Sequence, residues 1–215
     1  MKPKLLFILH RSPPQHGAAK VGDFISSSND IKESFDCKFI SIKSSIDVSE
    51  IGTINIKKIY FFFQLFFKIL WSLIKFKPKL IYFTSSIRGF AFYRDFLLSI
   101  SWKIYGVFKK TEVFYHYHTK GISDFVNSNF INLLLTRIFL KRVNLILLSE
   151  ALKYDFNQID TYKKIYYLPN AVEDEAKDIK YDEFAKIKFK KSRTLQILYL
   201  SNMIKSKGYF EVLKL

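Results

Sequence analysis

Two histidines one residue apart, His116 and His118 in the stretch FYHYHTKGISDF (residues 114–125), carry the strongest chemical signal in the chain. Side chains alternate along a strand, so at a strand end both rings face the same way. An imidazole placed there can hydrogen-bond a substrate hydroxyl, accept a proton or ligate a metal. No third ligand stands at a metal-binding spacing, so no metal site is expected. His116, the inner of the two, reads as a core position, and His118, nearer the loop, as a site position. Lys120 and Gly121 follow at once and are grouped with the substrate-binding residues.

Three other loops follow apolar runs. In HRSPPQHGAAKVGDFI (residues 10–25), Pro13 and Pro14 stop a strand and Gly17 permits a tight or positive-φ path into a helix. The free amides of that helix start can hold an anion or a sugar hydroxyl close to backbone. The loop lacks GxGxxG, so it is no dinucleotide fingerprint. In LLSEALKYDF (residues 147–156), Ser149 reads as an N-cap and Glu150 as a first-turn acid, and capping is sufficient explanation. In YYLPNAV (residues 166–172), Pro169 and Asn170 end a strand and turn the chain outward.

The elements that must position these loops are short apolar runs at 4–9, 38–42, 80–84, 112–116, 145–148 and 164–168. Helical patterns lie between or after them at about 18–28, 57–76, 88–105, 127–142 and 150–157. Strands alternating with helices predict an α/β fold, a Rossmann-like parallel sheet with helices on both faces. Such sheets bind ligands at the carboxyl ends of their strands, where the four loops fall.

With 215 residues, 49% of them apolar, the chain can bury one domain and part of another. The lone cysteine, Cys37, excludes an internal disulfide and fits a reducing compartment. The N-terminal apolar run, 5–9, is shorter than the core of a signal peptide and reads as a first strand in a cytoplasmic protein. The net charge of +16 divides as +13 over residues 1–170 and +3 over 171–215, so the excess belongs to the first domain. Charge alone leaves anionic lipid, nucleic acid and phosphorylated substrates as candidate partners. No RNP-like, zinc-finger or helix-turn-helix pattern is present, so nucleic acid is not expected.

The segment KKIYFFFQLFFKILWSLIKFK (residues 57–77) has the length of a membrane span. Its polar residues Gln64, Lys68, Ser72 and Lys75 form one narrow stripe, and Lys68 would sit near mid-bilayer at a cost of about 2.5–3.5 kcal/mol. A transmembrane helix is therefore rejected. Two readings stand: a helix packed on the sheet, or one whose aromatic side also dips into an anionic membrane surface, with the lysines at both ends near headgroups. Residues 173–194 are densely charged and read as an exposed interdomain linker. Residues 195–215 then restart a core with a buried strand over 195–200 and an amphipathic helix after Lys207 and Gly208.

Taken in order, PPQHG, GFAFYRDFLL ahead of HYHTKG, LSEALKYDF, LPNAV and LYLSNMIKSKG resemble the loops of family 4 glycosyltransferases with the two-Rossmann-domain GT-B fold. The likeness covers nearly the whole chain and is greatest to bacterial enzymes that extend cell-surface polysaccharides. It implies an acceptor-side domain over 1–172, the linker over 173–194, and over 195–215 the start of a truncated nucleotide-sugar-binding domain. The family's paired glutamates, eight positions apart, are lacking here. It further implies a retaining transfer from a nucleoside-diphosphate sugar to a glycan or polyprenyl-linked acceptor, with no metal or other cofactor, at the inner face of the plasma membrane. By the same resemblance His118 contacts the transferred sugar, Gly17 lies near the reacting sugars, and His16 lines the acceptor cleft. Lys207 neutralises the donor diphosphate, and Asn202 stands where many relatives have arginine. A fragment inactive alone is the implied outcome. The alternative is a non-enzymatic basic module that binds a membrane surface or nucleic acid.

Overall fold

The computed structural model describes residues 2–13, 17–42, 56–170, 180–182, 185, 198–200 and 208–214. They fall into two compact units, Met1–Ala171 and Val172–Leu215. In the first, six strands form one all-parallel sheet: β1 (Lys4–Leu9), β2 (Asp36–Ser41), β3 (Leu80–Thr84), β4 (Glu112–Tyr117), β5 (Asn144–Leu147) and β6 (Ile165–Tyr167), in spatial order β2-β1-β3-β4-β5-β6. This is the class of Rossmann-like α/β proteins that the alternation of apolar runs predicts.

Between β1 and β2 run α1 (Gly17–Ser27) and α2 (Asn29–Ser34), and later crossovers supply α3 (Ile56–Phe76), α4 (Gly89–Phe108), α5 (Ile122–Asn127) and α6 (Phe130–Leu140). A 3-10 helix spans Glu150–Phe156. Strand order reverses after β2, so α1 and α2 cover one face of the sheet and the later helices the other. The α1 face holds a small core, Leu5, Phe7, Leu9 and Tyr82, with Phe39 stacked on Phe7 at 4.8 Å. The opposite face holds the large core, in which Phe83, Trp102 and Tyr115 meet edge-on or tilted and Trp102 Nε1 donates to Tyr115 Oη at 3.0 Å. Each such fully buried aromatic contributes about 1.5–3 kcal/mol over its exposed state.

Several local expectations are corrected. The helix expected over 127–142 is α6, which starts at Phe130 because the Asn129 side chain accepts from the Asn132 amide at 2.8 Å, and the short α5 ahead of it was not expected. Ser149 precedes the 3-10 helix but makes no capping hydrogen bond. In α3, Gln64, Lys68 and Lys75 are exposed as expected but Ser72 is buried, its hydroxyl returned to the Lys68 carbonyl at 2.8 Å.

In the second unit, Leu198 and Leu200 are 77% and 84% exposed and not in a strand, against the buried strand expected there; residues 195–197 lie outside the described residues. Gly208, at φ 78°, leads into one helical turn, Tyr209–Val212.

Candidate functional site

Where strand order reverses, the chain leaves β1 and β3 in opposite directions and opens a crevice at their carboxyl ends, the place such sheets bind ligands. On the β1 side, α1 comes so close that a Cβ on Gly22 would lie 1.9 Å from the His10 carbonyl oxygen. Only glycine permits this approach. Asp23, one residue on, ties the loop down: Ser12 N approaches its carboxylate at 3.4 Å and Arg11 Nε at 3.6 Å. Gly17 is the first residue of α1, exposed and without a positive φ, and a Cβ there would meet nothing within 4 Å. Its expected strained path is therefore not what requires glycine there.

On the β3 side, Asp95 of α4 is fully buried and its carboxylate accepts from Ser86 N at 2.8 Å and from Arg94 Nε at 2.8 Å. Arg94 Nη2 lies 2.7 Å from the same Oδ1 but outside hydrogen-bond geometry, so Nε carries the bond and Nη2 adds charge. The Ser85 amide donates to the His116 carbonyl at 3.1 Å and locks the ends of β3 and β4 together.

His116 and His118 lie on the α1 face, as their alternation requires. Their rings lie 4.0 Å apart between centroids, tilted by 38°, and His116 Nδ1 is hydrogen-bonded to the Tyr82 hydroxyl. His116 is 1% exposed, and its burial, with His118 alongside, lowers its pKa to about 3. Burial pushes the Tyr82 phenol up. The hydroxyl is therefore the donor and Nδ1 the acceptor, which puts the imidazole proton on Nε2. That buried nitrogen finds no hydrogen-bond partner among the described residues. His118 is half-buried at the mouth, with both ring nitrogens shielded from solvent. Topology thus puts His118 and the α1 N-terminus, where Gly17 sits, on one edge and one face of the sheet.

Beyond His118, Lys120 is exposed, and Gly121 has φ 124°, a conformation that only glycine adopts readily. The amides of Gly121, Ile122 and Ser123 donate to Asp155 at 2.7, 2.9 and 3.1 Å. The helix start after β4 is thereby filled by the protein's own carboxylate, and Gly121 offers no free amide to a ligand. Sequence reasoning passed over Asp155 and Tyr82. Tyr82 stands in the apolar run LIYFT, where its hydroxyl is the signal, whereas Asp155 stands in the mixed polar stretch LSEALKYDF, where nothing in the sequence sets it apart.

His16, Asn202 and Lys207 lie outside the described residues. Among the described residues no cluster of three or more histidine, cysteine, aspartate or glutamate side chains can hold a metal. The fold defines a Rossmann-like parallel α/β protein with its candidate site at the β1/β3/β4 carboxyl edge. No family model matches the chain, and no curated protein matches it.

Proposed function

We propose that this chain is the acceptor-side lobe of a retaining glycosyltransferase that moves a sugar from a nucleoside-diphosphate sugar to a glycan or polyprenyl-linked acceptor in cell-surface polysaccharide synthesis. The supporting observation is the shared edge and face of His118 and the α1 N-terminus, beside the point where strand order reverses. In this reading the acceptor enters at Gly17 and His16, and the His118 imidazole contacts the reacting sugar. Lys120 follows His118 by two residues, and Gly121 serves by shaping the turn after it.

The transfer breaks the bond between the anomeric carbon and the diphosphate oxygen as the acceptor oxygen bonds to that carbon. The hydroxyl proton leaves with the nucleoside diphosphate. Lys207 and Asn202 are assigned to the diphosphate, whose charge grows as the sugar departs. No metal or other cofactor enters this scheme. The site works on the cytoplasmic side, with the chain peripheral to the inner face of the plasma membrane, and nucleic acid is not a partner.

Titration of the protein with a short-chain polyprenyl-diphosphate disaccharide should shift the His118 imidazole resonances, and His118→Ala should abolish binding while leaving the circular dichroism spectrum unchanged. Absence of any shift with this and other phosphorylated glycan acceptors would sink the reading. A second reading, a non-enzymatic membrane-surface module, is favoured by the apolar outer side of the helices on the large-core face. It predicts lipid binding with no response to glycan.

A further inference from the structure

The outward faces of α3, α4 and α6 are apolar. On α3, the inner stripe of Leu65, Ile69 and Leu73 is buried in the large core, yet Phe63, Phe67 and Trp71 on the far side are 50%, 63% and 61% exposed. On α4, Leu97, Ile104 and Phe108 are 47%, 56% and 78% exposed, and on α6 Phe130, Leu134 and Ile138 are 75%, 45% and 44% exposed. At about 100° per residue, the exposed apolar positions of each helix fall within a stripe about 100–120° wide, on the side away from the sheet.

These helices follow the same crossover direction and lie on the same side of the sheet, with α4 contacting both neighbours. Their stripes therefore form one surface. For α3 and α4 alone it is about 30 Å long and, at the usual interaxial spacing, roughly 20 Å across. That is at the upper end of what monomers expose.

Charge identifies the occupant. Across α3, α4 and α6 the only carboxylate is Asp95, which is fully buried against Arg94. Exposed cations stand where the helices end: Lys75 in the last turn of α3 and Lys77 after it, Lys109 and Lys110 after α4, Lys141 and Arg142 after α6. Cations at helix C-termini complement the helix dipole in any soluble protein, so the rim alone would mean little. Combined with an aromatic, carboxylate-free surface, it matches an interface of acyl chains bordered by anionic headgroups. Lys75 Nζ sits 5.0 Å from the centre of the Trp71 ring, which places an indole and an ammonium together at the border.

We propose that the outer face of α3, α4 and α6 docks on an anionic lipid bilayer, the helices lying in the plane of the interface while their inner stripes stay in the core. α3 is long and apolar enough to cross a bilayer, but its buried inner stripe commits it to the fold. The inference deepens the membrane-peripheral placement proposed above and rests on the fold and charge, so it stands or falls separately from the transferase chemistry.

The chain carries its own probe. Of its two tryptophans, Trp71 is 61% exposed on this face and Trp102 is fully buried. Vesicles containing phosphatidylglycerol should blue-shift the emission, and brominated lipid should quench it; W71F should remove both effects. Pure phosphatidylcholine and high salt should each weaken binding, and K109Q/K110Q should weaken it about tenfold or more. Binding indifferent to lipid charge would overturn the proposal. So would a lipid-free dimer or a protein complex that shields Trp71, or vesicle binding without any change in Trp71 emission.

Discussion

The carboxylate of Asp155 accepts the Gly121 amide at 2.7 Å and, through the same side chain, the next two amides, so the 3-10 helix after β5 caps the helix after β4. Asp155→Asn keeps the shape but loses the charge and one acceptor. It should cost about 2–4 kcal/mol, given about 1.5–3 kcal/mol for a hydrogen bond to a charged group. Urea unfolding measures this; a loss under about half a kcal/mol would show the cap to be dispensable.

Gly22 and Gly17, five residues apart on α1, should respond oppositely to alanine. Gly22→Ala puts a methyl group 1.9 Å from the His10 carbonyl oxygen, so α1 must lift from β1, costing about 2–4 kcal/mol. Gly17→Ala meets nothing within 4 Å and should leave stability unchanged or slightly raised. Thermal melts of the two variants give the comparison. In the transferase reading, Gly17→Ala should still weaken glycan binding.

His116 makes stability depend on pH. Its folded pKa, about 3, lies below the ordinary 6.5, so between those values the unfolded chain binds a proton that the folded chain does not. Stability from this group is full above pH 6.5 and falls on acidification toward 3, at up to about 1.4 kcal/mol per pH unit. His116→Gln should flatten the slope of unfolding free energy from neutrality to about pH 5, above the ordinary carboxylate range. An unchanged slope would place the proton uptake elsewhere.

Asn132 is buried and its carboxamide is fully used. Oδ1 accepts from the Tyr93 hydroxyl at 2.7 Å, while Nδ2 approaches Ser128 Oγ at 2.8 Å and the Phe125 carbonyl at 3.2 Å. Asn132→Leu leaves these partners unsatisfied and should destabilise by about 2–3 kcal/mol. Tyr93→Phe removes only one partner and should cost about 1 kcal/mol. Unfolding midpoints of the pair and the double variant would show the coupling.

The strands were legible because each is a short apolar run bounded by breakers, and β1 and β3 begin and end where the sequence places them. α2 was not legible: six residues, NDIKES, carry no apolar repeat, and its start rests on Ser28 accepting from the Ile31 amide at 3.4 Å. α5, six residues long, lay ahead of the helix expected over 127–142, and α6 begins three residues into that span, where Asn129 caps it. The two histidines could be placed on one face by alternation alone. The tautomer of His116 could not, because it depends on Tyr82, 34 residues away on the next strand. Nor could the pattern of α4 separate inside from outside, since both sides are apolar.

At the far border of the sheet, β6 contributes three residues, preceded by Lys163 and Lys164 and followed within two positions by Pro169. An intruding chain that tried to extend the ladder there would gain few bonds, meet the Lys164 ammonium beside the Lys163–Glu112 ion pair, and reach a proline nitrogen with no hydrogen to give. In a polypeptide with 23 phenylalanines and 13 tyrosines, so short a margin is a poor template for amyloid-like growth.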